Sequence, residues 1–208
     1  MNNIKRQFIM DELMIENFIE YSANVIHLEE TEDTGKSELN FQVVSNKNLI
    51  IKNVDKKHTE LHFFQKNKMK SMFKRVDHII FENVSDNNWN LHLIEMKSSV
   101  GTEKWIEVKG KFRASYLLAQ GIAAMLEMHI IETYMYTTYE KVRLSLAETM
   151  PSARRLRLGE KAVSAENEWN GSNFGLNFGT TINFIHKPIQ MQRNEQDILI
   201  GEYVCGNI

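Results

Sequence analysis

The sequence lacks the features that mark several specialised classes of protein. Its single cysteine, Cys205, cannot form an internal disulfide, which indicates a reducing compartment and a cytoplasmic protein. No apolar run reaches the roughly 18 residues of a membrane-spanning helix, and no signal-peptide pattern opens the chain, so no membrane partner is expected. Internal repeats, a phosphate-binding glycine loop and a paired-cysteine zinc pattern are also missing.

A strong charge of one sign is lacking too, because 25 Lys and Arg stand against 27 Asp and Glu. The charge is nevertheless uneven along the chain. Residues 52–113 carry 13 basic and 8 acidic side chains, a balance of +5. A local basic excess can favour contacts with phosphate groups. Charge alone, however, is better explained by a solvated lysine-rich surface.

Two apolar runs are present around a turn-forming cluster, at residues 76–81 and 89–96. Short β-rich runs on either side of a Ser, Asp and Asn cluster predict a β-hairpin. Asp77 lies on the first strand, and Glu95 and Lys97 lie at the end of the second. Charged side chains are almost never fully buried without a partner. Three of them at one end of a hairpin therefore indicate a site.

The strongest helical pattern follows this hairpin, over residues 106–128. It is rich in Ala, Leu and Met, with Gly110 as a weak point near its start. Tyr116 and Gln120 are four residues apart and share a face. A glutamine that faces inward needs hydrogen-bond partners.

A second helix is predicted over residues 7–27, which contain neither Gly nor Pro. Glu12, Glu16 and Glu20 form a stripe inside its apolar arc, with Glu16 at the centre. Two interpretations stay open. The stripe is exposed on a helix that is apolar on most sides, or one glutamate points toward the site.

Several further strands are predicted, which gives an alternation of helical and strand patterns. The fold class is therefore α/β, a central mixed β-sheet flanked by helices 7–27 and 106–128, in one domain of residues 1–208. A loop-rich insertion is expected near residues 150–182. The predicted strands cover residues 39–44 and 49–54, which form a hairpin, then 61–65, 130–139, 141–146 and 181–187, the last confined to an edge or end by Pro188.

One combination of these features resembles a known family. An acidic residue on one strand, an acidic–x–Lys triplet at the end of the next and then a helix form the pattern of the PD-(D/E)XK nuclease superfamily. Here the residues are Val76-Asp77 and Glu95-Met96-Lys97, and the resemblance covers roughly residues 8–146. Val76 stands where the pattern has proline, which is often absent in this superfamily. The resemblance implies a restriction-endonuclease-like core.

The resemblance also implies an activity, the metal-dependent hydrolysis of phosphodiester bonds, with DNA as the expected substrate. Asp77, Glu95 and Lys97 would be the catalytic residues. Asp77, Glu95, the backbone carbonyl of Met96 and, as a candidate, Glu16 would hold Mg²⁺, for which Mn²⁺ can substitute. Lys97 would orient the attacking water or stabilise charge on the phosphate.

Substrate contacts are expected from the helix after the hairpin and from the basic residues near it. They are Tyr116, Gln120, Lys104, Lys109, Lys111 and Arg113. Two other interpretations remain: a nuclease-like subunit that binds nucleic acid or serves in assembly without catalysis, and an unrelated α/β protein with surface ion pairs on its hairpin. The sequence leaves a homo-oligomer open.

Overall fold

The structure, a computed structural model, describes residues 19–22, 24–32, 35–52, 54–55, 71–144, 165–170 and 174–205. Strands dominate these residues. In chain order the elements are β1 Ile19–Ser22, β2 Val25–Glu32, β3 Gly35–Gln42, β4 Asn48–Ile51, β5 His78–Ser85, β6 Asn88–Glu95, β7 Ser99–Gly101, α1 Thr102–Met125, β8 His129–Tyr139, β9 Lys141–Arg143, α2 Ala165–Trp169, β10 Gly175–Asn177, β11 Thr181–Asn183, β12 Ile185–Gln190, β13 Gln192–Arg193 and β14 Leu199–Val204.

A six-stranded sheet in the order β1-β4-β5-β6-β8-β12 forms the centre of the fold. Its first four strands pair antiparallel, while β8 is parallel to both β6 and β12. The sheet is therefore mixed, as predicted. The predicted hairpin is confirmed as β5 and β6, and Asp86 in its turn has a φ of 42°, a left-handed conformation that aspartate tolerates. Helix α1 makes the crossover that parallel strands require.

Helix α1 covers one face of this sheet. Alternate side chains of a strand point to opposite faces, so Phe81, Leu91 and Leu93 pack with the helix in one apolar core. From α1 itself the buried residues include Trp105, Val108, Phe112, Ala119, Ile122 and Ala123. This spacing is that of one helical face.

A second, four-stranded sheet in the order β13-β14-β3-β2 covers the other face. Ile80, Ile94 and Tyr136 of the central sheet form a second apolar core with Leu28 and Phe41 of the four-stranded sheet. The result is three layers, a helix, a six-stranded sheet and a four-stranded sheet.

The helix predicted over residues 7–27 is wrong where the structure describes it. Residues 19–22 belong to β1 and residues 25–27 to β2, and residues 7–18 lie outside the described part. In β2, Ile26 and Leu28 are buried while His27 and Glu29 are exposed. This alternation has a period of two, which is that of a strand. The predicted helix covered residues 19–27 as well, so the alternation was not recognised.

The hairpin predicted from residues 39–44 and 49–54 is also wrong. Strand β3 pairs with β2 and β14, whereas β4 pairs with β1 and β5 in the other sheet. The Val43 N–H donates to Asn24 O (2.9 Å), and Asn83 N–H donates to Lys47 O (3.0 Å). The short connection over residues 43–47 therefore carries the chain from the four-stranded sheet to the six-stranded sheet instead of forming a hairpin turn.

Other predictions are close to the structure. The helix of residues 106–128 is confirmed as α1, which begins at Thr102 and continues through Gly110. The strand of residues 130–139 is β8, and the one predicted at 141–146 is described only as the short β9. Residues 181–187 divide between β11 and β12, and Pro188 lies in β12 at the edge of the central sheet, as expected.

The region predicted as a loop-rich insertion contains regular structure where it is described. Helix α2 and the antiparallel pair β10 and β11 lie there. The predicted strand of residues 61–65 and residues 150–164 lie outside the described part. Neither described helix is long and apolar enough to cross a membrane.

Candidate active site

The hairpin places Asp77 and Glu95 at the same end of the central sheet. Glu95 is the last residue of β6, and Asp77 directly precedes β5. His78 pairs with Ile94 in antiparallel register, so the next pair outward is Asp77 and Glu95. Residues directly opposite in such a pair have Cβ atoms about 4.5–5.5 Å apart. The two carboxylates therefore share one face and one end of the sheet.

Backbone contacts fix the position of Asp77. The Met96 N–H donates to Asp77 Oδ2 over 2.6 Å. The Val76 N–H donates to Ser115 Oγ of α1 (2.9 Å), and the Val54 N–H donates to Asp77 O (3.1 Å). The start of β5 is therefore tied to β6, to helix α1 and to the turn after β4.

Two lysines meet on one oxygen of Glu95. Lys97 Nζ lies 2.9 Å from Glu95 Oε1, and Lys111 Nζ lies 2.7 Å from the same atom. Lys111 Nζ is also 3.9 Å from Asp77 Oδ1, and Lys97 Nζ donates to Met96 O over 3.0 Å. The cluster thus holds two carboxylates and two ammonium groups, whose formal charges cancel.

The environment of Glu95 disfavours its ionised form. Its side chain is 0% exposed, and this burial, followed by the charge of Asp77, raises its pKa to about 7 against the opposing effect of both lysines. For Lys97, burial acts to lower the pKa, but Glu95 and Asp77 outweigh it and raise the pKa above its usual value. Lys97 is therefore an ammonium group at neutral pH and a donor, not a base.

The second oxygen of Glu95 is the notable feature of the site. Glu95 Oε2 is buried and accepts no hydrogen bond from any described residue. Buried polar atoms are nearly always paired, so a buried carboxylate oxygen without a donor among the described residues is open to a cation when the group is ionised. Carboxylate and carbonyl oxygens are the ligands that Mg²⁺ prefers. Asp77, Glu95 and the Met96 carbonyl therefore fit a divalent ion.

A cavity of about 260 Å³ is lined in part by Glu95, Met96 and Lys97. Its walls come from the end of β6, the first turns of α1 and the four-stranded sheet. The lining residues are Glu30, Gly35, Lys36, Ser37, Glu95, Met96, Lys97, Ser98, Lys104, Glu107, Val108, Arg193 and Leu199. Lys97 is partly exposed toward this cavity, whereas Glu95 lies in its wall and is fully buried.

The expected substrate contacts fall into two groups. Lys104 is exposed and lines the cavity, and Lys111 lies inside the carboxylate cluster itself. The remaining predicted residues do not line the cavity. Glu16 lies outside the described residues.

Three predicted contact residues meet the segment around α2, β10 and β11. Lys109 Nζ pairs with Glu168 Oε1 over 2.5 Å, and Arg113 Nη1 donates to Asn177 O over 3.4 Å. The Tyr116 ring packs edge-on against Phe184 at 4.9 Å between centroids. Gln120, one turn further along α1, is half-buried. This face of α1 therefore packs against the segment around α2, β10 and β11.

Sequence reasoning missed several residues of the site. Thr138 of β8 holds Lys97 in place, because its Oγ1 accepts from Lys97 N–H (2.9 Å) and donates to Lys97 O (3.2 Å). Glu30 and Arg193 reach the cavity through long-range strand pairing, which left no local signal. Lys111 did have a local signal in the sequence, since Lys104, Lys111 and Ser115 follow helical spacing and share a face.

A second buried acidic cluster lies further along the same hairpin. Glu82 Oε1 accepts from Val44 N–H (2.8 Å) and Ser45 N–H (3.1 Å), and its Oε2 lies 3.0 Å from His92 Nε2. Burial acts to raise the pKa of Glu82, but the bonds from His92 and the backbone lower it to about 2. His92 Nδ1 is in turn 3.2 Å from Tyr136 Oη. Both oxygens of this carboxylate are occupied.

A third group of possible metal ligands lies on the outer face of the four-stranded sheet. One ligand atom each from His27, Glu29 and Glu38 lies within 4.8 Å of the others. His27 and Glu29 are both 48% exposed, and Lys36 Nζ is already 2.7 Å from Glu38 Oε1. A neighbouring ammonium group and free access of water make this a common surface arrangement.

Comparison with known proteins gives no relative. No protein-family model matches the chain, and neither the curated proteins nor the solved structures contain a match. The function must therefore be argued from the chemistry of the site.

Proposed function

We propose that the protein is a metal-dependent nuclease that hydrolyses phosphodiester bonds, with DNA as the expected substrate. The observation that carries the proposal is the fully buried Glu95, whose Oε2 has no donor among the described residues. It lies beside Asp77 and Lys97 at the inner end of a cavity. A buried carboxylate that served only the stability of the fold would be expected to have hydrogen-bond donors on both oxygens.

The residues divide the chemistry between them. A bound Mg²⁺ ion would supply a Lewis acid for the phosphate and would lower the pKa of a bound water. Asp77, Glu95 and the Met96 carbonyl would hold that ion. Lys97, kept protonated by its carboxylate neighbours and held at its backbone by Thr138, would place its positive charge against the phosphate oxygens. Hydrolysis needs this because a phosphodiester is an anion that repels hydroxide.

The charge of the cluster supports a divalent ion with an anionic substrate. Asp77, Glu95, Lys97 and Lys111 sum to zero when all are ionised. A divalent cation makes the sum +2, which attracts a phosphodiester of charge −1. The same cation removes the repulsion between the two carboxylates.

The fold gives further support at the level of topology. The hairpin β5-β6, the crossover helix α1 and the parallel strand β8 carry the acidic residue, the acidic–x–Lys triplet and the helix of the PD-(D/E)XK pattern. We propose that this unit is the restriction-endonuclease-like core of the protein. The four-stranded sheet and the segment around α2 are additions to it.

The direct test is a cleavage assay. Plasmid and single-stranded DNA are incubated with the purified protein and Mg²⁺ or Mn²⁺, and products are separated on gels. Cleavage is expected with either ion and is expected to stop in EDTA. Asp77→Asn and Lys97→Ala should both be inactive, but only Asp77→Asn should lose Mn²⁺ binding in calorimetry, because a protonated lysine is no ligand.

A second candidate is a nucleic-acid-binding or assembly subunit without catalysis. The contact of Lys111 Nζ with Glu95 Oε1 at 2.7 Å favours it, because this lysine neutralises the cluster without any metal. Absence of Mn²⁺ binding by the wild-type protein, together with retained binding of nucleic acid, would select this candidate.

A further inference from the structure

One row of residues crosses all four strands of the second sheet and faces the candidate active site. Glu30 pairs with Ser37, Ser37 with Leu199, and Leu199 with Arg193. Paired residues in neighbouring strands present their side chains on the same face. All four residues line the cavity, so the row forms the wall opposite Glu95 and Lys97.

The row is polar at both edges and has opposite charges there. Glu30, on β2, lies close enough to Lys97 to contribute to its raised pKa. Arg193, on β13, occupies the other edge, and Ser37 lies between them. An anion that enters this cavity is repelled at the Glu30 edge, and at the other edge it meets the guanidinium of Arg193, whose charge is shared with Glu140 and Asp197. Lys104 of α1, which also lines the cavity, adds a second positive charge.

Arg193 is held in position through its Nε and Nη1 atoms, which leaves N–H donors of the guanidinium group for another acceptor. Its Nε lies 3.2 Å from Glu140 Oε2, and its Nη1 lies 3.0 Å from both Asp197 O and Asp197 Oδ1. A guanidinium group carries five N–H donors in a fixed plane. The contacts orient that plane at the cavity while leaving donors for a further acceptor, and a phosphate matches them in geometry.

The size of the cavity sets what it can hold. A volume of about 260 Å³ is several times the roughly 30 Å³ that one water occupies in the liquid. It is smaller than most pockets for drug-sized ligands, which span about 300–1,000 Å³. The space suits a short piece of sugar-phosphate backbone on the Lys97 side of the proposed metal position.

We propose that Arg193 and Ser37, with Lys104, form a second phosphate subsite, which holds the backbone phosphate next to the one that is cleaved. The proposal rests on the nuclease function proposed above, and it assigns the four-stranded sheet to substrate binding. The substrate then lies between the two sheets instead of along the face of α1 that carries Lys109 and Arg113. Arg193 and Ser37 are binding residues in this scheme and contact no reacting atom.

The test compares Arg193→Ala and Ser37→Ala with a matched control, Lys141→Ala. Lys141 also pairs with Glu140 and carries the same charge, but it lies outside the cavity lining. Binding of a fluorescein-labelled oligonucleotide is measured by anisotropy with Ca²⁺ as the ion. Arg193→Ala should weaken binding about tenfold, Ser37→Ala about threefold, and Lys141→Ala should match the wild type.

A kinetic comparison separates a subsite from a structural effect. Bis(p-nitrophenyl) phosphate is a single diester without a neighbouring phosphate. Arg193→Ala should raise the KM for an oligonucleotide more than the KM for this small substrate. Equal effects on both, or equal weakening by Lys141→Ala in the anisotropy measurement, would overturn the subsite.

The outcomes distinguish this inference from the proposed function. A wild-type protein that hydrolyses both substrates and an Arg193→Ala variant that binds the oligonucleotide equally well would refute the subsite but retain the nuclease. A wild-type protein that hydrolyses neither substrate but binds the oligonucleotide through Arg193 would refute the nuclease, and with it the subsite beside a cleaved phosphate, and would leave only phosphate binding at Arg193. Thermal unfolding of each variant confirms that it is folded.

Discussion

Glu82 and Glu95 lie on the same hairpin, are both buried, and have opposite surroundings. Glu82 receives two backbone N–H groups and a histidine, and its pKa is lowered to about 2. Glu95 receives two lysines on one oxygen and nothing on the other, and its pKa is raised to about 7. The first site stabilises a negative charge within the protein. The second leaves one oxygen of the carboxylate without a donor among the described residues.

The difference shows how to separate structural from functional buried carboxylates. A carboxylate used only for stability is surrounded by donors, because each missing one costs about 1–3 kcal/mol. A carboxylate that must accept a ligand cannot be surrounded in that way. Both glutamates line a cavity, of about 130 Å³ at Glu82 and about 260 Å³ at Glu95. Glu82 has donors on both oxygens and bridges the hairpin and the connection after β3, whereas Glu95 Oε2 has no donor among the described residues. The following predictions test this contrast, starting with the largest expected effect.

Activity should depend on Glu95 and not on Glu82. Glu95→Gln removes the open anionic oxygen and is expected to reduce metal-dependent cleavage at least about 10³-fold, or about 4 kcal/mol in activation free energy. Glu82→Gln should retain cleavage at a temperature where the variant is folded. The measurement is the initial rate on a labelled DNA substrate. Equal losses in both variants would remove the distinction.

Stability should show the reverse dependence. Glu82→Ala leaves His92 and two backbone N–H groups without their acceptor, which is expected to cost about 3 kcal/mol of unfolding free energy. For a domain of this size the melting temperature should fall by about 6–12 °C. Asn90→Ala is the matched control, because Asn90 donates only one long bond to Glu82 at 3.3 Å. Calorimetry that finds Glu82→Ala as stable as wild type would contradict the structural role.

The pH dependence of stability should have opposite signs at the two residues. The folded pKa of Glu82 is about 2, below its unfolded value, so it adds about 3 kcal/mol that is present above pH 4.5 and lost as pH falls through 2. The folded pKa of Glu95 is about 7, above its unfolded value. Its contribution is therefore favourable only while it is protonated, and metal-free stability should fall by about 3 kcal/mol between pH 4.5 and 7.

Urea unfolding of the wild type and Glu95→Gln at pH 5 and pH 8 measures the second effect. The glutamine variant cannot ionise, so it should gain stability relative to wild type at the higher pH. No change in the difference between the two proteins would place the pKa of Glu95 near its ordinary value.

The smallest effect is expected at Lys111. Its ammonium group contacts Glu95 Oε1 at 2.7 Å and competes with a divalent cation for the same carboxylates. Lys111→Met should therefore tighten Mn²⁺ binding about tenfold in calorimetry, while raising the repulsion between Asp77 and Glu95 in the metal-free protein. Weaker Mn²⁺ binding would instead make Lys111 a support of the metal position.

The sequence predicted the part of the site that is local in the chain. Turn chemistry and strand patterns located the hairpin, and its register brings Asp77 to Glu95. Lys97 follows from the strand period of two. The interpretation of β1 and β2 failed because an apolar stretch without Gly or Pro satisfies helical spacing as well as strand spacing when read alone.

The remaining part of the site depends on contacts between distant segments. Strand β14 pairs in parallel with β3, and this pairing brings Arg193 and Leu199 to the cavity. No local pattern encodes which of two sheets a strand joins. The partners of Lys109 and Arg113 illustrate the same limit, since Glu168 and Asn177 lie more than fifty residues away.

The segment around α2 also gives the molecule an optical reporter. Trp105 of α1 donates through Nε1 to Glu168 (3.0 Å), and its ring meets that of Trp169 edge-on at 5.3 Å. Two of the three tryptophans of the chain thus meet at this contact, close to His186. Undocking of α2 from α1 would bring both indole rings into water and shift their emission to longer wavelength. The docking of α2 on α1 can thus be followed without a label.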